Sequence, residues 1–229
     1  MRKAPLRRGF PYPPISLIAS GLSMHGSERT VKPITRLDLA PFLIDMHYAG
    51  RFPSISYRYG LFYDDFLEGV VTYGTPSSAP LRNGIAGKEF SPHVLELNRL
   101  CLRHNQKNDA SFLISKSIKA LKQLGDWIIV SFADTSQGHE GTVYKASGFI
   151  YTGLSAKRTD WKVKGMEHLH GQTVADEFRG NANRSELMRA KYGDDFYLQE
   201  RPRKHRFVRI VGSRGFVARA TKALNYQSP

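Results

Sequence analysis

One cysteine, Cys101, stands in a chain of 229 residues. A single thiol cannot close an internal disulfide, which excludes a disulfide-framed secreted protein and points to a reducing compartment. Long apolar runs are also missing. No stretch approaches the ~18 uninterrupted apolar residues that a membrane helix needs, so no membrane partner is expected. A secretory leader is poorly supported too. The basic start (Arg2, Lys3, Arg7, Arg8) is broken by prolines at 5, 11, 13 and 14 before a short apolar run from Ile15 to Ala19. There is no internal repeat and no low-complexity segment.

Acidic residues are absent from both ends. Residues 1–9 hold four of the 34 Lys and Arg, residues 201–229 hold eight, and neither segment has an Asp or Glu. These ends carry twelve of the fourteen net positive charges, so the body between them is nearly neutral. Such asymmetry calls for a polyanionic partner, with nucleic acid the first candidate. The plain alternative, a solvated basic tail, fits the C-terminal segment less well. Phe207, Val208, Ile210, Val211, Phe216, Val217 and Leu224 are interleaved with its charges. The run from Arg206 to Val211 reads as a strand, and Gly212 to Gly215 as a turn.

The composition, 41% hydrophobic and 11% aromatic, is that of a folded globule with a real core. A first strand is expected over Glu28–Thr35 and a helix over Leu37–Tyr48, with Asp38 in its cap region, Pro41 tolerated only in a first turn and Gly50 as its stop. Tyr57–Tyr63 and Phe66–Tyr73 form a hairpin through Asp64-Asp65. Thr75–Lys88, rich in Gly, Pro and Ser, reads as loop. Val94–Leu102 is a long strand that, with regular alternation, puts Arg99 on one face with Leu95, Leu97 and Cys101. A helix capped by Asn108 or Asp109 runs to Gly125. Trp127–Val130 is a strand buried on both faces. A short helix over Gly141–Ala146 and a strand over Phe149–Gly153 follow. Residues 155–200 are less legible, with helices near Thr173–Glu177 and Ser185–Tyr192. The class is α/β (α+β): one domain with a central mixed sheet flanked by helices. It divides into a basic Pro-containing arm (1–27), a catalytic core (28–155) and a basic C-terminal extension packing on the core (156–229).

The candidate residues each have a bland reading beside the functional one. His47 and Tyr48 end the first helix, as a base or orienting pair at a pocket, or as a histidine complementing the helix terminus. Asp134 lies where a buried strand runs out, where ligands collect in open sheets and turn aspartates also abound. Arg99, on a central strand, needs an anionic partner, substrate or structural. Ser131 is a pocket hydroxyl or an ordinary strand serine. His139 and Glu140 precede the short helix. Arg103, Lys107, Asn108, Ser111 and Ser115 surround a helix N-terminus able to hold a phosphate. His47, Tyr48, Asp134 and His139 could in principle assemble a metal site, although no Cys/His spacing supports one.

The order of elements resembles the GNAT N-acetyltransferase fold. Several blocks narrow the resemblance: Asp45-Met46-His47-Tyr48-Ala49-Gly50-Arg51, Leu95-Glu96-Leu97-Asn98-Arg99-Leu100, Asn108-x-x-Ser111, Val130-Ser131-Phe132-Ala133-Asp134, Gly138 through Ala146, and Lys204-His205-Arg206-Phe207-Val208. Together they are similar to the phage Mom family, over about residues 40–155 and more loosely at the C-terminal block. The resemblance implies a phage-encoded enzyme of the host cytoplasm that converts adenine in double-stranded DNA to N6-carbamoylmethyl-adenine and protects it from restriction. It implies catalytic roles for His47, Tyr48, Arg99, Ser131, Asp134 and Tyr144, the last as proton donor to a leaving group. DNA contacts are expected from Arg51, Arg203, Lys204, Arg206 and Arg209. The chain departs from many acetyltransferases of this fold at 103–111, where the Arg/Gln-x-x-Gly-x-Gly/Ala loop that cradles a CoA diphosphate has no glycine. Glycyl-tRNA and an acyl-CoA such as acetyl-CoA both remain as donors. Two other functions stay open: a conventional acetyl-CoA-dependent N-acetyltransferase of small molecules or protein amines, and an inactive nucleic-acid-binding protein of the same fold.

Overall fold

The structure is a computed structural model describing residues 28–226 apart from Ser77 and His170. The expected N-terminal arm lies outside these residues. Strand β1 (Arg29–Pro33) leads into α1 (Arg36–Ala40), which starts with a capping box: the Thr35 amide donates to Asp38 Oδ2 at 2.7 Å and the Asp38 amide to Thr35 Oγ1 at 3.4 Å. Pro41 has no N–H for the helical ladder. From there the chain widens into a π-turn over Pro41–Met46, closed by the His47 amide on the Phe42 carbonyl at 2.9 Å. The expected helix over 37–48 is therefore two unlike pieces, and His47 is already extended (φ −78°, ψ 131°).

β2 (Tyr57–Tyr63) and β3 (Phe66–Gly74) form the expected hairpin, with Asp64 in the left-handed region (φ 52°). The segment expected as loop holds α2 (Ala79–Ala86), capped by Ser78 Oγ on the Leu81 amide. Its Pro80 sits in the first turn, where the ring costs nothing, so proline here marks a helix start rather than a loop. Then follow β4 (Val94–Leu102), α3 (Asp109–Leu124), β5 (Trp127–Ala133), α4 (Thr142–Ala146) and β6 (Ile150–Leu154). A separate antiparallel pair, β7 (Arg158–Val163) and β8 (Phe196–Arg201), encloses α5 (Gly171–Ala175) and α6 (Arg184–Tyr192) around its own small core of Val163, Val174, Met188 and Phe196. β9 (His205–Val211) and α7 (Arg214–Lys222) complete the chain.

The main sheet has seven strands in the order β1-β2-β3-β4-β5-β9-β6, antiparallel except between β4 and β5. This corrects two sequence expectations. Residues 156–229 are not one extension: 158–201 form the small added unit, whereas β9 lies inside the sheet between β5 and β6. The stretch 212–215 is only half turn, since Ser213 Oγ accepts from the Phe216 amide and starts α7.

Two layers of helix cover the sheet. On one face α3 packs on Leu61, Val71, Tyr73, Leu95, Leu97, Ile129 and Phe207; the fully buried Tyr73 hydroxyl meets Ser117 Oγ at 2.7 Å. On the other face the α1 region packs on Leu67 and Val70, and α2 with α7 packs on Val94, Ile128, Val130 and Val208.

The feature that positions the site is a fork. β4 is nine residues long, yet only Val94, Leu95 and Glu96 pair with Ile128, Ile129 and Val130 of β5. Beyond Glu96 the two strands follow different neighbours. A β-bulge in β4 marks the divergence: Thr72 opposes Arg99 and Tyr73 opposes Leu97, leaving Asn98 unpaired. Asn98 is held by Thr72 Oγ1 (2.6 Å) and by the Ser54 carbonyl (2.7 Å). The bulge also reverses alternation. Leu95, Leu97, Leu100 and Leu102 share the α3 face, whereas Arg99 and Cys101 face the other way, not toward Leu95 and Leu97 as regular alternation predicts.

Arg206, expected at DNA, is 1% exposed. Alternation along β9 turns it inward, where Nε donates to Thr152 Oγ1 at 2.7 Å and a terminal nitrogen donates to the Asn225 carbonyl. It ties β6 and the end of α7 to β9. Arg206→Met is expected to destabilise the fold by about 2–4 kcal/mol, because it strips these carbonyl and hydroxyl partners of a buried donor. A lowered denaturation midpoint, with an unchanged slope of DNA affinity against salt, checks it.

Candidate active site

The fork opens into a cleft of about 980 Å³ that reaches both faces of the sheet. On the α3 side it touches Leu102, Asn105, Ala110 and Tyr144; on the other, His47, Tyr48, Arg99 and the α2 residues Pro80, Leu81 and Gly84. Glu96, Asp134 and Lys204 stand between, with Arg158 and Arg201 of the added unit on the rim. A passage through a sheet lets two reactants meet from opposite sides.

Tyr144 reaches the fork from α4, which follows β5 after residues 134–141. Gly141 caps α4 at φ +75°, and a Cβ there would meet the Phe207 ring at 2.2 Å. Without glycine α4 would have to lift off the sheet. The Tyr144 ring lies 5.5 Å from that of Phe207 and 5.6 Å from that of Phe149. Burial raises its pKa, outweighing the hydrogen bond with Ser131, so the phenol is a held proton. Ser131 is fully buried and donates to the Leu97 carbonyl at 3.1 Å, a side chain standing in for the ladder bond that the fork removes.

Glu96 is the last β4 residue in register and half-buried. Burial raises its pKa against the opposing pull of Arg99 and Lys204. Sequence reading missed it. The signal was a carboxylate inside an apolar strand, which alternation alone assigns to solvent. Asp134 caps a 3-10 turn at the end of β5, accepting from the Ser136 amide (3.1 Å) and hydroxyl (2.6 Å), and forms an ion pair with Lys204 Nζ. Burial would raise its pKa, but the Lys204 and Ser136 hydrogen bonds overcome it and hold the carboxylate ionised. Such a group is an anchor rather than a proton acceptor.

His47 Nδ1 accepts from the Ala49 amide at 3.1 Å. Burial, then Arg99 and His139, lower its pKa to about 4, so the ring is neutral at pH 7 and its proton sits on Nε2. The neutral ring therefore offers a donor at Nε2. Its ring stacks on Tyr48 at 4.4 Å. Arg99 donates to its neighbouring Asn98 carbonyl at 2.6 Å, while its buried Nε has no partner among the described residues.

The structure does not gather the expected cofactor residues. Arg103, Lys107, Asn108, Ser111 and Ser115 do not line the cleft. Arg103 turns away: Nε donates to the Leu67 carbonyl and the guanidinium lies 4.5 Å over Phe42. Asn108 occupies the N-cap position of α3 at φ 71° without a capping bond. The first turn already holds a buried carboxylate, Asp109, which accepts from Tyr63 (2.8 Å) and Arg29 (3.2 Å). Side chains of Gln106 and Asn108 stand where close backbone approach needs glycine. These residues do not fit a CoA diphosphate.

Of the residues expected at DNA, Arg51 is exposed. Arg203 is half-buried, with Nε on the Ser155 carbonyl at 2.7 Å, and Arg209 donates to the Ser147 carbonyl. Lys204 faces the cleft rather than a separate surface. No group of three or more His, Cys, Asp or Glu among the described residues could hold a metal ion, and no helix among them is long and apolar enough to cross a membrane.

The seven-stranded mixed sheet forks at its parallel β4–β5 pair and is covered by helices on both faces. Its likeness to solved structures is distant. A Bacillus subtilis acetyltransferase in complex with CoA is 15% identical, covering 81% of this chain and 99% of its own, with a TM-score of 0.42. The Escherichia coli ribosomal-protein-S18-alanine N-acetyltransferase is 10% identical, covering 81% and 96%, with a TM-score of 0.45. The sequence relationship is narrower. The profile of the Mom protein family matches residues 28–227, and the methylcarbamoylase Mom of Escherichia phage Mu is 31% identical over 184 residues, 78% of this chain and 72% of that protein. The chain belongs to the Mom protein family.

The His47 assignment has a pH consequence. Its folded pKa lies below the unfolded value of 6.5, so the unfolded chain takes up the proton first. Its contribution is intact above pH 6.5 and is lost as pH falls toward 4. A nuclear magnetic resonance titration of the His47 ring is expected to show a midpoint near 4; a midpoint at 6.5 contradicts the arrangement.

Proposed function

We propose that the protein transfers a group to the exocyclic N6 of adenine in phage DNA, leaving the carbamoylmethyl substituent that protects the DNA from restriction. The observation that supports this most is the fork, where a carboxylate with a raised pKa (Glu96) and a half-buried phenol (Tyr144) face one cleft. A carboxylate raised toward neutral pH is a proton acceptor for a weak amine, and a phenol kept protonated is a proton donor for a leaving group. Adenine N6 is such an amine, since its lone pair is delocalised into the ring.

The roles follow from the geometry. The amine attacks the donor carbonyl while Glu96 takes its proton. Tyr144 gives a proton to the departing oxygen, with Ser131 fixing the hydroxyl. Lys204, anchored by Asp134, supplies positive charge at the developing oxyanion, and the His47 Nε2 proton is a second donor at that end of the cleft. The adenine must leave the helix stack to enter, so base flipping is part of the reaction. Exposed Arg51 and the cations of α7 (Arg214, Arg219, Lys222) grip the phosphate backbone.

The product constrains the donor. Simple acetylation would give N6–CO–CH3, whereas the carbamoylmethyl product is N6–CH2–CO–NH2. A glycyl group placed on N6 carries a free amine that reaches C6 through a five-membered ring. Its attack forms a new C6–N bond, the C6–amide bond breaks, and one proton passes from the incoming to the outgoing nitrogen. The atoms balance without an oxidant or reductant. An aminoacyl ester such as glycyl-tRNA suits this step, and it fits the poor match of the α3 N-terminus to a CoA diphosphate.

Mass spectrometry of nucleosides from cells expressing the protein is expected to show carbamoylmethyl-deoxyadenosine. Glu96→Gln and Tyr144→Phe each lower it about 100-fold or more at unchanged protein level, the range for losing one general acid or base. Unmodified DNA in cells holding folded wild-type protein overturns the reading. Modification by purified enzyme from acetyl-CoA with no glycine source overturns the glycyl donor.

A further inference from the structure

The cleft mouth on the α1 side has a composition that acid–base chemistry does not explain. Tyr48 is 60% exposed and Met46, two residues earlier, 41% exposed. An exposed aromatic is unremarkable by itself. This one is held rigidly: it stacks on neutral His47 with ring centroids 4.4 Å apart and planes 28° apart, and Ala49 fixes the His47 ring from behind. Beside it Arg99 enters the cleft from β4, with a buried Nε that has no partner among the described residues. Arg51 is close enough for the two guanidinium charges to act on each other, and neither has an ion pair among the described residues. Two guanidinium groups beside an exposed aromatic face offer paired donors to an incoming anion. A flat apolar ring joined to an anion is a nucleotide.

Resting on the function proposed above, we infer that Tyr48, Arg99 and Arg51 form the subsite for the flipped deoxyadenosine: Tyr48 stacks the extruded base, and the two arginines clamp the phosphate that arrives with it. Stacking on an aromatic side chain contributes ~1–3 kcal/mol per base, enough to offset a large part of the few kcal/mol that unstacking costs. Arg99 suits the deeper contact because its planar donors match phosphate oxygens in pairs. Tyr48 and Arg99 thus bind and position, and the transfer chemistry stays with the groups of the fork. The terminal adenosine of a tRNA donor has similar chemistry. The side of the sheet favours DNA: this mouth opens beside the α1 region and α2, opposite the face on which α3 lies.

The test needs no donor. A duplex carrying 2-aminopurine opposite an abasic site presents an unpaired fluorescent base that dims when stacked. Wild-type protein is expected to bind and quench it. Tyr48→Ala binds but leaves the base bright, while Tyr48→Phe, which keeps the ring, restores quenching. Arg99→Gln and Arg51→Gln each weaken binding about tenfold, and each lowers the slope of log affinity against log salt by about one, as expected when one phosphate is no longer neutralised. Equal quenching by wild type and Tyr48→Ala overturns the platform. Arginine variants that weaken tRNA binding but leave duplex affinity and slope intact overturn the assignment to DNA. Carbamoylmethyl-adenine in wild-type cells, measured alongside, separates a failed subsite from a failed function: modified DNA with no Tyr48-dependent quenching sinks only the subsite.

Discussion

Three residue pairs decide the architecture of the site. β4 and β5 hold register only at Val94–Ile128, Leu95–Ile129 and Glu96–Val130, and the cleft opens at the last of them. Had the ladder continued, the backbone groups of Leu97 onward would face β5 and no cleft would exist. The bulge at Asn98 bends β4 away, and Ser131 covers the Leu97 carbonyl that the divergence strands. An unpaired buried carbonyl costs ~1–3 kcal/mol, so the serine hydroxyl makes the opening tolerable. The same hydroxyl meets Tyr144. One side chain thus serves the stability of the fork and the placement of the acid.

Electrostatics within the fork divide the titratable groups by task. Asp134 is held ionised by its hydrogen bonds with Lys204 and Ser136, which suits it to fixing geometry. Glu96 and Tyr144 are pushed by burial toward their neutral forms, which suits them to moving protons. His47 is neutral because it is buried at a cationic cleft mouth, and its tautomer is set by one backbone amide. The most acidic feature at the α3 N-terminus is the protein's own Asp109, buried and already partnered. That carboxylate ties the start of α3 to Arg29 of β1 and Tyr63 of β2.

Much of this was legible in the sequence. Strands with clean alternation or continuous apolar runs, such as Tyr57–Tyr63 and Trp127–Val130, fold as the pattern demands. Asp134, just past the end of β5, and Tyr144, within α4, both line the cleft. What could not be read depends on tertiary context. The bulge at Asn98 moves Arg99 to the opposite face, and no local signal distinguishes it from regular alternation. Arg206 reads as a DNA contact by charge alone, yet its strand is central in the sheet. α2 hides behind Ser78 and Pro80, residues shared by loops and helix starts. β7 and β8 were illegible because their small core draws on few apolar residues spread over a polar segment.

The central claim is that adenine N6 enters the β4–β5 fork between Glu96 and Tyr144. A crystal structure of the protein bound to a duplex with a target adenine tests it most directly. The account predicts an extrahelical adenine with N6 inside the fork, within hydrogen-bond reach of the Glu96 carboxylate and facing the Tyr144 hydroxyl. An adenine bound away from the fork, with Glu96 and Tyr144 untouched by the nucleic acid, would contradict it.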